Sequence, residues 1–143
     1  MSEGEQKRER KFHFIGVLIG LCIDNFGTLL TSGLIGSLFF ADSTLSDSEL
    51  QKLYDNVGLM LLLLVMGLSW TLFGSYMTAR IARRAEIFNA AIIGVIGAGI
   101  GFDSMLTDQS VPLWYELLGF IAIVPVSMLG GYMALKKKRA RLK

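Results

Sequence analysis

Four stretches of the chain are apolar and almost free of charge: residues 12–40, 57–77, 87–102 and 111–135. A helix needs about 20 apolar residues to cross a bilayer. The first stretch exceeds that length and is expected to tilt or project beyond the hydrocarbon. The third is short and must draw on its flank, reaching residue 106. A soluble helical bundle shows a polar face at every turn, and these stretches do not. The pattern therefore predicts an all-α, polytopic membrane bundle with four transmembrane helices, spanning about 12–40, 57–77, 87–106 and 111–135. A polar N-terminal tail, 1–11, precedes it and a basic tail, 136–143, follows.

The two loops opposite the termini have their own signals. In "ADSTLSDSELQKLYDN", Ser46 and Glu49 have capping-box spacing, with Leu45 and Leu50 placed as a hydrophobic staple. A helix is predicted to begin near Asp47 and run on unbroken into the second span. Its Leu50, Leu53, Tyr54 and Val57 fall on one side. The other loop, "LTDQSVPLWYE", reads as a turn, with Pro112 in the first turn of the last helix. Trp114 and Tyr115 fit one aromatic belt, Tyr76 and Tyr132 the other.

Charge orients the spans. Thirteen of the fourteen Lys and Arg residues lie in the N-terminal tail, between the second and third spans, or after the fourth. The other two loops hold only Lys52, beside six acids. The positive-inside rule then places both termini in the cytoplasm, and so strong a bias argues against dual topology. The tail "KKKRARLK" reads as a topology anchor that can also meet anionic lipid. No aromatic interleaving or binding motif points to nucleic acid. At 18% charged residues the chain falls below the ~25% usual for soluble domains. A single cysteine, Cys22, allows neither a disulfide framework nor a cysteine-based metal site, and no metal or cofactor is expected. The apolar run after "MSEGEQKRERK" is too long for a signal peptide and lacks a cleavage site.

The chain carries an internal echo. "LFGSYMTAR" in the second span resembles "MLGGYMALK" in the fourth, and "GLCIDNFGT" in the first resembles "GIGFDSMLT" in the third. Gly20, Asp24 and Thr28 match Gly99, Asp103 and Thr107 at a constant offset. Two parallel hairpin repeats, a plan found in transporters, would explain this. So would chance, since Gly and Tyr are common in membrane helices.

Residues 73–97, "FGSYMTARIARRAEIFNAAIIGVIG", carry Gly74, Tyr76, Ala79, Arg80 and Ala82, then a short basic turn and a Gly-rich third helix. This resembles small bacterial membrane proteins with a G-G-Y-x-A-x-R-x-A signature, classed as a domain of unknown function. Ser75 stands where the second Gly of that signature would be. The resemblance implies a four-helix protein of a bacterial inner membrane and supplies no activity.

The first span contains an acid. At steps of three and four, His13, Gly16, Gly20, Asp24, Gly27 or Thr28, and Thr31 form one small, polar stripe. Leu18, Leu21 and Leu29 lie opposite and suit lipid. Asp24 should therefore face the bundle interior. Helix packing is expected at Gly16 and Gly20, and at Gly97 and Gly101, both pairs with small-xxx-small spacing. A charged group at mid-bilayer costs about 2.5–3.5 kcal/mol on insertion scales. Asp24 can avoid that cost as a protonated group bonded to a hydroxyl or carbonyl, or by drawing water from a cavity. An acid at this depth is a functional-site candidate, with Asn25, Thr28 and Asp103 as its companions. The alternative is a buried polar staple that sets helix register. His13 is expected at the membrane interface, Asn89 to bond within the turn between the second and third spans, and Trp70 to pack.

No hydrolase, metalloprotease or P-loop motif is present, and there is one His. An intramembrane aspartyl protease needs two Asp at matched depth, which Asp24 and Asp103 do not offer. The chain is not expected to be an enzyme. Two functions fit: an accessory or scaffold protein that packs against a membrane partner or a second copy, and a minimal proton- or cation-coupled transporter or channel built on Asp24, akin to the small four-helix exporters with one acid in their first helix. A filled core would favour the first, an open polar cavity reaching Asp24 the second.

Overall fold

The computed structural model describes residues 12–39, 47–83, 85–107 and 111–140. These form five helices: α1 (Phe14–Phe39), α2 (Asp47–Asp55), α3 (Val57–Ala82), α4 (Glu86–Thr107) and α5 (Leu113–Ala140). There is no strand among the described residues. Four helices, α1, α3, α4 and α5, are long and apolar enough to cross a membrane, so the chain is a multi-pass membrane protein of the all-α class.

The helices alternate in direction. Gly16, Gly20 and Asp24 of α1 meet Thr78, Gly74 and Thr71 of α3 in reverse order. Along α4 and α5, Glu86 meets Lys138, Gly94 meets Ser127 and Ser104 meets Glu116. The start of α1, the end of α5 and the α3–α4 turn thus share one end of the bundle, the terminal end. The end of α1, the start of α3, the end of α4 and the start of α5 share the other, the loop end. Helix α3 is central, packing on α1, α4 and α5, whereas α1 has little contact with α4.

The interior is built from small and hydroxyl-bearing residues. Ser75, Thr78, Ala79, Asn89, Ala90 and Ser127 are fully buried, while Leu29 and Leu38 are more than 70% exposed. This distribution suits lipid, which offers no hydrophobic drive for helices to associate and leaves close packing and hydrogen bonds to hold them. Gly131 lets α5 approach the backbone of α4, where an added Cβ would stand 3.0 Å from the Ile87 Cα.

Three boundaries differ from the sequence expectation. The helix predicted to run from Asp47 through the bilayer is broken at Asn56. The Asn56 side chain caps a new helix by accepting the Leu59 N–H at 3.1 Å. A short polar side chain competes for backbone donors in this way, and α2 becomes a separate nine-residue helix. Ser46, the expected cap of that segment, lies outside the described residues. The second and fourth spans also continue past 77 and 135, to Ala82 and Ala140, because Arg and Lys are good helix formers once water replaces lipid. At the α3–α4 turn, Arg83 (φ 55°) and Ala85 (φ 47°) are both left-handed, reversing the chain in very few residues.

Candidate functional site

The polar stripe of α1 meets a matching stripe on α3 formed by Gly67, Thr71, Gly74 and Thr78. Thr78 Oγ1 donates to the Gly16 carbonyl at 2.8 Å. Gly20 and Gly74 cross almost backbone to backbone; a Cβ on Gly74 would lie 2.5 Å from the Gly20 carbonyl oxygen. Next along, Thr71 Oγ1 donates to Asp24 Oδ1 at 2.9 Å. Beyond it the Trp70 ring covers Gly27, and its Nε1 donates to Thr31 Oγ1 at 2.8 Å. Trp70 is thus a packing and hydrogen-bonding residue. Asp24 is 8% exposed.

The terminal end of this interface is closed. His13 caps α1, its Nδ1 accepting the Gly16 N–H at 3.0 Å, which leaves the ring proton on Nε2. Its own N–H donates to Asn89 Oδ1 at 2.7 Å, and Asn89 Nδ2 donates to the Ala85 carbonyl at 3.0 Å. His13 therefore ties α1 to α4 as well as marking the helix start.

Beyond the Gly20–Gly74 crossing, α1 and α4 part. Between them, over α3 and α5, lies a cavity of about 400 Å³ that reaches Asp24. Its polar lining comes from Asn25, Thr28 and Ser32 of α1, Thr71 of α3, Ser104 of α4, and Tyr115 and Glu116 of α5, set in a larger apolar surface that includes Leu21, Leu64, Leu68, Phe120 and Ile123. The Asn25 side chain, on the exposed side of α1, donates to the Leu21 carbonyl of its own helix at 2.9 Å. Asp24 and Glu116 are the charged residues of the lining, and no Lys, Arg or His joins them.

Of the sequence candidates, Asp24, Asn25 and Thr28 come together here and Asp103 does not. Asp103 is exposed, outside the cavity lining. The Gly99–Asp103–Thr107 echo accordingly differs in environment from Gly20–Asp24–Thr28: Gly99 has open space where Gly20 is tightly packed. The second acid is instead Glu116, whose Oε1 faces Ser104 Oγ at 3.4 Å. Glu116 closes the loop stretch "LTDQSVPLWYE" in the sequence, yet it stands in the first turn of α5. Its signal was the spacing of Glu116, Gly119, Phe120 and Ile123, which puts an acid on the inward stripe of α5. Packing glycines also divide. Gly16, Gly20 and Gly97 face neighbouring atoms closely, but Gly101 has nothing within 4 Å of an added Cβ. Gly101 borders the cavity, because α1 has diverged from α4 at its level.

Thr71 gives Asp24 a partner in either protonation state. Its hydroxyl lies 2.9 Å from Asp24 Oδ1 and 3.3 Å from the Gly67 carbonyl, and one hydroxyl hydrogen serves one acceptor at a time. Toward a carboxylate, Thr71 donates. Toward a protonated Asp24 it can accept, turning its hydrogen to Gly67. No group of three or more His, Cys, Asp or Glu among the described residues is placed to hold a metal.

Fold and site together define a class: a multi-pass bundle of four long apolar helices with a largely apolar cavity, holding two acids, between the first and third of them. Comparison with protein-family models, curated proteins and solved structures finds no match to this chain. The resemblance carried by residues 73–97 rests on those residues alone.

Proposed function

We propose that the chain is a minimal carrier or channel for a proton or a small cation, with Asp24 as the inner site and Glu116 as an outer one. The observation that carries this reading is the cavity of about 400 Å³ that reaches Asp24 with two acids and no base in its lining. Where these acids are ionised they favour a cation over an anion in a largely apolar lining. The Thr71 hydroxyl supports proton exchange because no heavy atom need move when Asp24 changes state. The tight Gly20–Gly74 crossing supports a path closed on the far side of Asp24, as alternating access requires.

The orientation we propose has both termini in the cytoplasm of a bacterial inner membrane, on the strength of the basic-residue bias. The cavity, whose lining runs from Asp24 to Val111 at the loop end, would then lie in the outer half of the membrane. A reporter fused after Lys143 is expected to read cytoplasmic.

A second reading has its own support. The bonds from Thr78 to Gly16, Thr71 to Asp24 and Trp70 to Thr31 form a ladder that suits a polar staple in a scaffold or accessory protein, binding a membrane partner or a second copy. Flux in liposomes separates the two. Wild-type protein should dissipate an imposed pH or cation gradient, and Asp24→Asn should abolish that flux while remaining folded. Wild-type liposomes no leakier than empty ones would overturn the carrier reading in favour of the scaffold.

A further inference from the structure

A second cavity, of about 440 Å³, lies at the terminal end, away from Asp24. The ends of α3 and α5 and the start of α4 enclose it. Ala79 and Ala134 form a small-residue floor, and Arg80, Arg83, Lys137 and Lys138 supply four cations. Its single acid, Glu86, is already engaged: Lys138 Nζ lies 2.6 Å from Glu86 Oε1 and also donates to the Arg83 carbonyl. Lys138 thus clamps α5 to the α3–α4 turn. Arg80, Arg83 and Lys137 have no carboxylate partner among the described residues. Three unpaired cations around one concavity repel one another, and an anion resolves that repulsion.

The turn that borders the cleft has an unusual backbone. Two non-glycine residues, Arg83 and Ala85, hold left-handed backbone, a conformation disfavoured for a side-chain-bearing residue. Strain of this kind concentrates where geometry serves binding. Below the cations the surface turns apolar. Phe73 is 46% exposed two turns from Arg80 on α3, and Met133 is 45% exposed one turn from Lys137 on α5. Charge at the membrane boundary with apolar surface beneath matches a lipid, head first, better than a free ion.

We infer that this cleft binds the phosphate of an anionic phospholipid, with Arg80, Arg83 and Lys137 as its ligands and Phe73 and Met133 against the acyl chains. Basic pockets between helices are a known form of lipid recognition. The site is separate from the Asp24 cavity and does not depend on the function proposed for it.

The test uses full-length protein in nanodiscs of zwitterionic phosphatidylcholine carrying a minor fraction of phosphatidylglycerol, with retained lipid measured by native mass spectrometry. Two variants remove equal charge: Arg80→Gln/Lys137→Gln inside the cleft, and Lys136→Gln/Arg139→Gln outside it. All four side chains are exposed, so neither variant loses a buried contact. The cleft variant should retain phosphatidylglycerol roughly a hundredfold less tightly, each hydrogen bond to a charged phosphate being worth about tenfold or more, beyond the general surface attraction that both variants lose. The outside variant should change retention by far less. Equal losses in the two variants would overturn the site in favour of general charge attraction. Displacement of the retained lipid by millimolar inorganic phosphate would overturn the lipid assignment in favour of a free anion.

Discussion

Thr71 holds Asp24 from across the α1–α3 interface, Oγ1 to Oδ1 at 2.9 Å. The pair couples the packing of two helices to the chemistry of the one acid at mid-span. Removing the hydroxyl by Thr71→Val leaves a buried carboxyl oxygen without its donor, which is expected to cost about 1–3 kcal/mol. Asp24→Asn should be tolerated, since the amide can donate to Thr71 Oγ1 while Thr71 donates to Gly67. Reversible unfolding in mixed micelles measures both. Unchanged stability in Thr71→Val would mean that cavity water, rather than Thr71, solvates Asp24.

Glycine substitutions should separate packed positions from open ones. Gly74→Ala drives a Cβ to 2.5 Å from the Gly20 carbonyl oxygen, backbone that cannot move aside. A loss of roughly 1–3 kcal/mol is expected, as for other overpacked sites. Gly101→Ala meets nothing within 4 Å and should be neutral or slightly stabilising, because Ala is the better helix former. Thermal midpoints of the two variants in one detergent make the comparison, and a similar loss in both would refute it.

Ser75 offers a gain. Its hydroxyl is fully buried beside Gly130 and has no hydrogen-bond partner among the described residues. Ser75→Ala keeps the Cβ that touches α5 and removes the unsatisfied oxygen. Stability should rise by about 1 kcal/mol. A drop on the same unfolding assay would show that the hydroxyl has found a partner, such as the carbonyl one turn back.

The Glu86–Lys138 pair should respond asymmetrically. The Glu86 side chain is 9% exposed and the Lys138 side chain 47%. Lys138→Met strands a buried carboxylate and also frees the Arg83 carbonyl, whereas Glu86→Gln leaves a lysine that water can reach. The first is therefore expected to destabilise more than the second. Because Lys138 is half-exposed, added salt should narrow the gap. Unfolding of both variants at low and high ionic strength checks it; equal effects would mean the pair contributes little.

The sequence by itself determined the class and most of the elements. Four long apolar runs can be satisfied only as helices once in lipid, where every backbone N–H and C=O needs an internal partner. Composition alone therefore set the number of spans. Local periodicity also singled out the α1 stripe, because a helix places Gly16, Gly20 and Asp24 on one face whatever lies opposite. What lay opposite was decided only in three dimensions. That Asp24 meets Thr71, that Glu116 and not Asp103 shares its cavity, and that Gly101 lines space where Gly20 lines a crossing all depend on where α1 parts from α4. That divergence is set by the summed contacts of helices far apart in the chain, and no local pattern encodes it. The break at Asn56 is the opposite case: a single side chain near the span's start, accepting the Leu59 N–H, outweighed a continuous helical pattern.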